Sequence, residues 1–523
     1  MKQHTNSYCE KMNSQLDRLP AKSGRSGPLG QRARQSGRKR LRALLTLELI
    51  AGLGLIPAGS AMAQTFTTLH NFAGDDGTGP NALVTDSLGN TLYGTANSGG
   101  ISGKGTVFAV PTDGTGFTNL HSFTATACYD CPNSDGAWPE AGPILSGNTL
   151  YGTASYGGTS GQGTVFKVST DGTGFATLHS FTGTSDGAVL LAGLISSGNT
   201  LYGAARDGGS AGSGTVFRLD TDGSGFTNLY SFTAIAGYPS TNSDGAEPLA
   251  GLVLSSNTLY GTAYYGGTSG NGTVFAVNSD GTGFRTLHSF TSIPAYPAPQ
   301  TNGDGALPQA GLILSGSTLY GATSGGGSAG GGAVFAVQTD GTGFTNLHSF
   351  PALPPYPNNT NRDGTAPRAG LILSGNTLFG TAYAGGSSSR GTVFAVNTDG
   401  TSFTVLHNFT GGSDGAGPFG VLVLSGNALY GTTSSGGSSG SGTVFSLSFL
   451  PQLSITGLGT NVALSWPVSY AGFDYTGYVL ESTASLSPAA PWVTNSAVPV
   501  VIGGQLTVTN PITGTQQFYR LVQ

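Results

Sequence analysis

Residues 251–290 decide the fold, because they hold one complete copy of a unit that recurs along the chain. They read GLVLSSNTLYGTAYYGGTSGNGTVFAVNSDGTGFRTLHSF. Four short runs rich in Val, Leu, Phe and Tyr alternate with Gly, Asn, Ser and Asp, as is typical of strands joined by turns. Asp280-Gly281 stands between the third and fourth runs and indicates a hairpin, since glycine accepts the positive φ of such a turn. The unit therefore predicts four antiparallel strands.

Seven copies of this unit follow one another. Each contains Leu-Tyr-Gly, with one Leu-Phe-Gly variant, then a Gly-Gly turn and Thr-Val-Phe or Ala-Val-Phe. The aromatic residues of the first motif are Tyr93, Tyr151, Tyr202, Tyr260, Tyr320, Phe379 and Tyr430. Four antiparallel strands repeated seven times predict an all-β protein with a seven-bladed β-propeller over residues 64–449.

The two ends of the repeat region complement each other. Phe66 to Phe72 is a lone fourth-strand phrase ahead of the first full unit, and the last unit, ending near Phe445, lacks that phrase. We expect the N-terminal strand to complete the last blade, because this closes the ring and hides two sheet edges.

The units also resemble a known family. Leu-Tyr-Gly-Thr, Gly-Gly and Gly-Thr-Val-Phe, joined by Asp-Gly-Thr-Gly-Phe, are similar to the Gloeo_Verruco (GloVer) tandem repeat of exported bacterial proteins, over about residues 66–449. The resemblance implies export, in some members a C-terminal cell-surface or sorting module, and no established biochemical activity. The strand order is also similar to kelch blades, although the kelch blade tryptophan is missing.

The repeat stops near residue 450. Asn461 to Trp466 alternates apolar and polar residues, and further strand-like runs follow to the C-terminus. Several short strands predict a small β-sandwich over residues 450–523. The Leu-Ser-Trp and Gly-Tyr-Val phrases resemble a fibronectin type III or immunoglobulin-like module, which implies a spacer or adhesive role. We expect this module to have its own core, so that its removal leaves propeller stability nearly unchanged.

Residues 1–63 have the pattern of a secretory signal peptide. A basic segment precedes an apolar run from Ala43 to Ile56, and Ala61-Met62-Ala63 provides a cleavage site before Gln64. The alternative is an uncleaved membrane anchor, but the run is short for a spanning helix and contains Glu48. The pattern predicts a protein that is secreted, periplasmic or held at the cell surface.

Net charge excludes one class of partner. Residues 1–63 hold 11 of the 20 basic residues and three of the 25 acidic ones, so the remaining chain has a formal net charge of −13. Such a surface repels phosphate backbones, and nucleic acid is not expected as a partner. No second apolar segment reaches membrane length. We expect a monomer with no membrane span after signal cleavage.

Two cysteines remain after cleavage, Cys128 and Cys131. In a cytosolic protein their spacing could indicate redox chemistry or half of a zinc site. In an exported chain without a second cysteine pair, a disulfide is expected. It closes a very short loop, so it would pin that loop more than it stabilises the fold.

Histidines and aspartates recur in the repeat and raise the question of a metal. One fourth-strand position holds His70, His121, His179, Tyr230, His288, His348 and His407; the position before each first strand holds Asp76, Asp135, Asp186, Asp244, Asp304, Asp363 and Asp414. Phenylalanines share the strand face of the histidines, which favours packing and a hydrogen bond to a neighbouring blade. Calcium is conceivable at the aspartates, but no loop has the alternating carboxylates of a calcium site. No metal or cofactor is expected.

A variable position within a constant frame marks the candidate binding site. Five residues after each of these aspartates stand Asn81, Glu140, Leu191, Leu249, Gln309, Arg368 and Phe419. Two positions earlier the chain varies equally and includes Trp138 and Glu247. Variation just before the innermost strand is typical of a binding mouth, although drift at an exposed loop gives the same pattern. The candidate binding residues are Trp138, Glu140, Glu247, Gln309 and Arg368.

Inserted loops add tyrosines on the same side of the predicted propeller. They are Tyr129, Tyr238, Tyr296 and Tyr356. Such side chains stack on sugar rings or contact a protein, and they could equally cover the blade tops.

Catalysis finds little support in the sequence. No nucleophile elbow, zinc-type His-Glu pattern or phosphate-binding loop occurs. The sequence therefore predicts a non-catalytic protein that binds an extracellular glycan or protein at the variable face. Two alternatives stay open: a carbohydrate-active hydrolase or lyase that assembles two acids from different blades, and a purely structural surface protein.

Overall fold

The computed structural model describes residues 63–523, apart from residues 238, 295–298, 356–358, 471, 488–489 and 513–515. Within these residues the chain forms strands and turns and no helix, so the all-β prediction is confirmed. A helix suited to crossing a membrane is accordingly not found among them. The predicted signal peptide lies outside the described residues, except for its last position.

Each repeat forms one antiparallel sheet, which we call a repeat sheet, and in the first six repeats this sheet has four strands in sequence order. The first strand of the chain, β1, is Ala63–Asn71. Repeat sheet 1 contains β2 (Thr78–Thr85), β3 (Thr91–Ser98), β4 (Thr106–Pro111) and β5 (Thr118–Ser122). Repeat sheet 2 contains β6 (Ile144–Ser146), β7 (Thr149–Ala154), β8 (Thr164–Ser169) and β9 (Ala176–Ser180); repeat sheet 3 contains β10 (Ile195–Ser197), β11 (Thr200–Ala205), β12 (Thr215–Asp220) and β13 (Thr227–Ser231).

The next three repeat sheets have the same pattern. Repeat sheet 4 contains β14 (Val253–Ser255), β15 (Thr258–Ala263), β16 (Thr273–Asn278) and β17 (Arg285–Ser289). Repeat sheet 5 contains β18 (Ile313–Ser315), β19 (Thr318–Thr323), β20 (Gly330–Gln338) and β21 (Thr345–Pro351). Repeat sheet 6 contains β22 (Ile372–Ser374), β23 (Thr377–Ala382), β24 (Thr392–Asn397) and β25 (Thr404–Asn408).

Repeat sheet 7 is built from both ends of the repeat region. Its own strands are β26 (Ala416–Pro418), β27 (Val423–Ser425), β28 (Ala428–Ser435) and β29 (Thr443–Leu450), and β1 pairs antiparallel with β29 as the outermost strand. Phe66 lies opposite Leu447, and Thr68 lies opposite Phe445. The prediction that the N-terminal strand completes the last unit is confirmed.

The glycine of Leu-Tyr-Gly is explained by the phenylalanine of Thr-Val-Phe. Gly261 in β15 lies opposite Phe275 in β16. A Cβ atom on Gly261 would lie 2.6 Å from Cζ of the Phe275 ring, far inside van der Waals contact. The ring therefore folds over the glycine, and Phe275 is fully buried. The same pairing occurs in every repeat sheet, which links the two most regular motifs of the sequence.

Hydrophobic cores lie between successive repeat sheets. Tyr93 and Val107 of sheet 1 share a core with Leu150 and Phe166 of sheet 2, and corresponding cores follow along the chain. Sheet 7 shares its next core with sheet 1, through Phe72 and residues of β3 and β4. Because the last sheet contacts the first, the arrangement is propeller-like.

The C-terminal strands form three small sheets. The first, in the order β30-β31-β37-β36, contains β30 (Ser454–Leu458), β31 (Asn461–Pro467), β37 (Gln505–Pro511) and β36 (Val500–Ile502). The second contains β32 (Ser469–Tyr470) and β33 (Phe473–Asp474); the third, in the order β35-β34-β38, contains β35 (Val493–Thr494), β34 (Val479–Thr483) and β38 (Phe518–Val522).

The buried residues of these C-terminal strands are continuous with those of repeat sheets 6 and 7, so the expectation of a separate core is wrong. Phe473 is 2% exposed, and its ring stacks on Phe449 at 4.6 Å and lies 5.5 Å from Phe379. The same hydrophobic cluster includes Trp466 and other residues of the C-terminal strands. Ser374 Oγ also donates a hydrogen bond of 2.9 Å to the carbonyl of residue 472. Repeat sheets 6 and 7 therefore share one core with the C-terminal strands.

Candidate functional site

One backbone position joins each repeat sheet to the one before it. Trp138 has a φ of +53°, in the left-handed region, and its N–H donates 2.8 Å to the Lys104 carbonyl of sheet 1. Its own carbonyl accepts 3.1 Å from the N–H of Ser155 in sheet 2. The same position has a positive φ in all seven repeat sheets, at Gly79, Trp138, Val189, Glu247, Leu307, Ala366 and Gly417. We call it the left-handed position.

The left-handed position stores strain that the contacts between sheets offset. Five of its seven residues are not glycine, and the left-handed conformation costs a side-chain-bearing residue about 1–2 kcal/mol. Each N–H is fixed by a carbonyl of the preceding sheet; at Gly79 the acceptor is Ser441 of sheet 7, at 2.9 Å. Strained backbone of this kind is often found at functional sites. Two predicted site residues, Trp138 and Glu247, occupy it.

The other predicted site residues occupy a ring of neighbouring segments. Two residues after each left-handed position lies what we call the ring position, the variable position of the sequence: Asn81, Glu140, Leu191, Leu249, Gln309, Arg368 and Phe419. The backbone just beyond it touches the corresponding backbone of a neighbouring sheet. A Cβ on Gly311 would lie 3.3 Å from the carbonyl oxygen of Gly251, and one on Gly420 would lie 2.8 Å from Cα of Ala82. These contacts run through all seven sheets and return to the first.

Trp138 belongs to a cluster of aromatic rings, which we call the aromatic shelf. Its ring centroid lies 4.8 Å from Tyr129 and 5.8 Å from Tyr156, and Tyr129 lies 4.4 Å from Tyr156. The ammonium group of Lys104 lies 4.1 Å from the Trp138 ring centroid. Tyr129 is 60% exposed, so the shelf offers an aromatic surface to solvent.

The loop that carries Tyr129 is closed by a disulfide. Cys128 and Cys131 flank Tyr129 and are bonded to each other. The bond restricts the loop while leaving the tyrosine side chain exposed. Of the other inserted tyrosines, residues 238, 296 and 356 lie outside the described residues.

Beside the shelf lies a charged cluster centred on Arg206. Its guanidinium donates 3.1 Å and 2.6 Å to the two carboxylate oxygens of Asp207. Burial opposes the charge of Arg206, but Asp207 outweighs that effect and raises the arginine pKa. Burial also raises the pKa of Glu140 and of Glu247, and the charge of Arg206 offsets part of each rise. Glu140 and Glu247 therefore belong to one electrostatic group.

Gln309 and Arg368 lie apart from this group, on sheets 5 and 6. The Arg368 guanidinium stacks on Tyr383 at 4.1 Å, and Tyr383 lies 6.3 Å from Phe419. The structure thus places Trp138, Glu140 and Glu247 around the shelf and Arg206. Gln309 and Arg368 occupy the ring position of the adjacent sheets 5 and 6, where a Cβ on Gly370 would lie 3.4 Å from the carbonyl oxygen of Gly311.

Sequence reasoning missed several residues of both groups. Asn97, Tyr156, Arg206, Asp207 and Tyr383 all stand in the two positions before a Gly-Gly turn. Those two positions vary from repeat to repeat as much as the ring position does. The signal was therefore present, but only the structure shows that the end of the second strand reaches the ring position.

The repeats assign the protein to a family. The Gloeobacter/Verrucomicrobia repeat matches residues 124–302, 238–359 and 296–457, which together cover more than half of the chain. The chain belongs to this family. Among curated proteins, no sequence matches it.

The chain is only distantly similar to solved structures. TolB from Acinetobacter baumannii has 13% identity and a TM-score of 0.34, covering 60% of this chain; the match spans 63% of TolB, less than two thirds of its length. A puromycin-hydrolyzing peptidase of Mycobacterium tuberculosis has 10% identity and a TM-score of 0.43 over 76% of this chain and 59% of its own. The N-terminal domain of Nup159 has 12% identity and a TM-score of 0.41 over 75% of this chain and 98% of that domain. These likenesses carry no functional argument.

The recurring histidines of the Gloeobacter/Verrucomicrobia repeats hold neighbouring sheets together. His121 of sheet 1 stacks on Phe175 of sheet 2 at 3.6 Å, and its Nε2 lies 3.0 Å from Asp135 Oδ2. Each of the six histidines has such a carboxylate at 2.8–3.4 Å. Tyr230 takes the same place and donates 2.7 Å to Asp244. These contacts support the packing interpretation for the histidines, with the aspartates as their partners.

The aspartates of this set also bind the chain that follows each fourth strand. Asp135 accepts hydrogen bonds from the backbone N–H and the hydroxyl of Thr124. Within the described residues, His, Cys, Asp and Glu side chains form no group of three suited to a metal ion. The aspartates considered as calcium ligands in the sequence instead accept hydrogen bonds from the preceding sheet and so connect neighbouring sheets.

We expect the repeat fold to lose thermal stability as the pH falls from 7.5 to 5. Burial holds the pKa of His179, His348 and His407 below the ordinary value of 6.5. The unfolded chain therefore takes up protons first as the pH passes about 6.5, which favours unfolding. Differential scanning fluorimetry across this range measures the effect. A melting temperature that is constant or rises toward pH 5 would contradict the prediction.

Proposed function

We propose that the chain is an exported, non-catalytic binding protein that takes an extracellular glycan at the face formed by the left-handed and ring positions. In this proposal the repeat sheets are the blades of a closed seven-bladed β-propeller, and residues 450–523 are a β-sandwich of the fibronectin III or immunoglobulin-like type. Residues 1–63 are a cleaved signal peptide, and the protein is a secreted or surface-held monomer.

Export is supported by the cysteines and by the charge. The Cys128–Cys131 disulfide fits an oxidising compartment, because cytosolic thiols are kept reduced. The basic residues are concentrated ahead of Gln64, where an export signal requires them. Fractionation of a producing cell, with N-terminal sequencing of the released protein, tests this part: a mature N-terminus at Gln64 supports it, and retention in the cytoplasm contradicts it.

One observation carries the glycan proposal: the exposed aromatic shelf lies beside groups that donate and accept hydrogen bonds. Tyrosine and tryptophan rings stack on the apolar faces of sugar rings while their polar atoms reach hydroxyl groups. Glu140 and Lys104 provide an acceptor and a donor next to Trp138. The disulfide holds Tyr129 in place, which lowers the entropy lost when a ligand binds.

Replacing Trp138 or Tyr129 with Ala is expected to reduce binding at least tenfold while changing the melting temperature little. Both side chains are partly exposed, and substitutions at such positions usually cost under about 0.5 kcal/mol. An array of bacterial, plant and algal polysaccharides identifies the glycan, and calorimetry measures its affinity. Tyr470→Ala, at an exposed tyrosine of the C-terminal strands, is the matched control.

The shelf variants also separate a glycan from a protein ligand. Loss of polysaccharide binding in both shelf variants, with the control unaffected, supports the proposal. If no polysaccharide binds but an extracellular protein is retained in a way that depends on Trp138, the ligand is a protein.

A hydrolase or lyase is the second candidate, and one observation favours it. Acids with raised pKa values are typical of catalytic sites, and Glu140 and Glu247 both have one. Glu140→Gln distinguishes the two functions, since a binding protein keeps most of its affinity and an enzyme that relies on Glu140 loses turnover. Release of reducing ends from the bound polysaccharide by the unsubstituted protein, but not by this variant, would establish the enzyme.

A further inference from the structure

The polar residues at the ring position fall into two kinds. Asn81 is fully used within the fold, since its Nδ2 donates 2.6 Å to the Pro139 carbonyl and 3.3 Å to Thr95 Oγ1. Arg206 and the Asn97 side chain both lower the pKa of Glu140 and so favour its charged form. Gln309 Oε1 and Arg368 Nε, in contrast, are buried atoms without a hydrogen-bond partner among the described residues.

Two threonines of the neighbouring sheets also have buried hydroxyl groups without a hydrogen-bond partner among the described residues. In sheets 1, 2 and 4 the threonine after Leu-Tyr-Gly donates to a carbonyl of the next sheet, as Thr95 does to Ala141 at 2.8 Å. At Thr381 and Thr432 of sheets 6 and 7, the buried hydroxyl has no partner among the described residues. The Asn81–Thr95 contact places this threonine beside the ring position of its own sheet. Unpartnered polar atoms therefore extend from sheet 5 to sheet 7.

Buried polar atoms without partners are costly and rare, so a group of four needs a physical reason. An unmade hydrogen bond costs about 1–3 kcal/mol for each buried donor or acceptor. Native structures contain few such atoms, and water, an ion or a ligand is the usual explanation. Four of the ten unpartnered side-chain atoms in the described residues belong to Gln309, Arg368, Thr381 and Thr432.

The charge of Arg368 gives the chemical class of the ligand. Arg206 is paired with Asp207, and Lys104 lies over Trp138. No carboxylate of the described residues pairs with Arg368, whose guanidinium lies 4.1 Å from the Tyr383 ring centroid. A planar guanidinium matches the two oxygens of a carboxylate in a bidentate geometry, and a neighbouring glutamine amide can donate to the same group.

We propose that Gln309 and Arg368 form a carboxylate-binding subsite, and that the glycan bound at this face is acidic and contains uronic acid. The inference rests on the proposed function. The carboxylate accepts hydrogen bonds from the guanidinium and from the Gln309 amide, whereas Thr381 and Thr432, only 2% and 1% exposed, lie too deep to touch the ligand. The formal charge of −13 does not prevent this, because at physiological salt the screening length is about 8 Å.

The test uses uronate oligosaccharides and their carboxyl-reduced forms. Fragments of galacturonan, alginate and glucuronoxylan are titrated into the full protein by calorimetry, each beside the same compound with its carboxyl groups reduced to alcohols. For at least one fragment we expect the acidic form to bind ten times more tightly or better. Arg368→Ala is expected to remove this preference, and Arg368→Lys to restore part of it, since lysine keeps the charge without the planar fork.

Arg362→Ala is the matched control, because Arg362 is exposed, lies six residues earlier and carries the same charge. It is expected to leave the preference unchanged. Melting temperatures confirm that each variant is folded, and Arg368→Gln replaces Arg368→Ala if the alanine variant is not.

Each other outcome overturns the inference in a recognisable way. Equal binding of acidic and reduced fragments, or equal effects of the Arg368 and Arg362 substitutions, removes the carboxylate subsite while leaving glycan binding intact. Preference for sulfated glycans over uronates shows an anion site of a different chemistry. If neither acidic nor neutral glycans bind at all, the proposed function fails together with the subsite.

Discussion

Deleting Gln64–Phe72 is expected to lower the melting temperature by about 10 °C or more. The deletion removes β1, the outer strand of repeat sheet 7, and leaves the edge of β29 unpaired. It also removes Phe72, which is fully buried, and Phe66, which stacks on His407 at 4.1 Å and on Phe445 at 5.3 Å. Loss of the fully buried Phe72 ring costs about 3–5 kcal/mol, and loss of the partly buried Phe66 ring adds a smaller amount. Together these losses are a large fraction of the total stability of an ordinary protein, about 5–15 kcal/mol.

Calorimetry compares this truncated protein with one that begins at Gln64. Phe72→Ala provides a milder version, expected to cost about 3–5 kcal/mol, if the deleted protein does not fold. Leu88→Ala, at a side chain that is 80% exposed, should have no measurable effect. An unchanged melting temperature on deletion would mean that β1 contributes nothing to the last sheet.

Replacing Phe473 with Ala is expected to destabilise repeat sheets 6 and 7, although Phe473 belongs to the C-terminal strands. The substitution removes a ring that is 2% exposed and that contacts Phe449 and Phe379 of those sheets. Large-to-small changes at buried phenylalanines cost about 3–5 kcal/mol, because a cavity remains. Hydrogen exchange followed by mass spectrometry should show faster exchange in β28 and β29.

Val498→Ala is the control in the same C-terminal region, since Val498 is 84% exposed. It should leave exchange in the repeat sheets unchanged. If Phe473→Ala raises exchange in the C-terminal strands and leaves β28 and β29 as they were, the two parts unfold independently and the contact adds little stability.

The repeat sheets could be predicted from the sequence because each strand is decided locally. Alternating apolar residues, Asp-Gly turns and Gly-Gly turns recur with a period of about 60 residues. Every repeat therefore has the same local pattern of strands and turns. The closing strand was also predictable, since Phe66 to Phe72 repeats a phrase that the last unit lacks. The core shared by Phe473, Phe449 and Phe379 was not, because it depends on how distant segments pack.

The candidate site could be predicted only in part. The ring position was visible as a varying residue in a constant frame, and Trp138 and Glu247 were found two residues before it. The pattern did not show that this earlier position has a positive φ, because five ordinary side chains occupy it. Nor did it indicate Arg206 or Tyr383, since these residues reach the ring position from the end of a different strand.

The composition of repeat sheet 7 has a consequence for the timing of folding. Its outer strand is among the first parts of the repeat region to be synthesised, and its partner β29 follows about 370 residues later. At about 5–20 residues per second, synthesis of that interval takes roughly 20–75 s. Sheets 1 to 6 can each form as their residues emerge, whereas β1 must wait without its strand partner, with its backbone groups hydrogen-bonded to water. The first strand to be synthesised is thus the last to join its sheet. The repeat fold can be completed only after the whole repeat region has been synthesised.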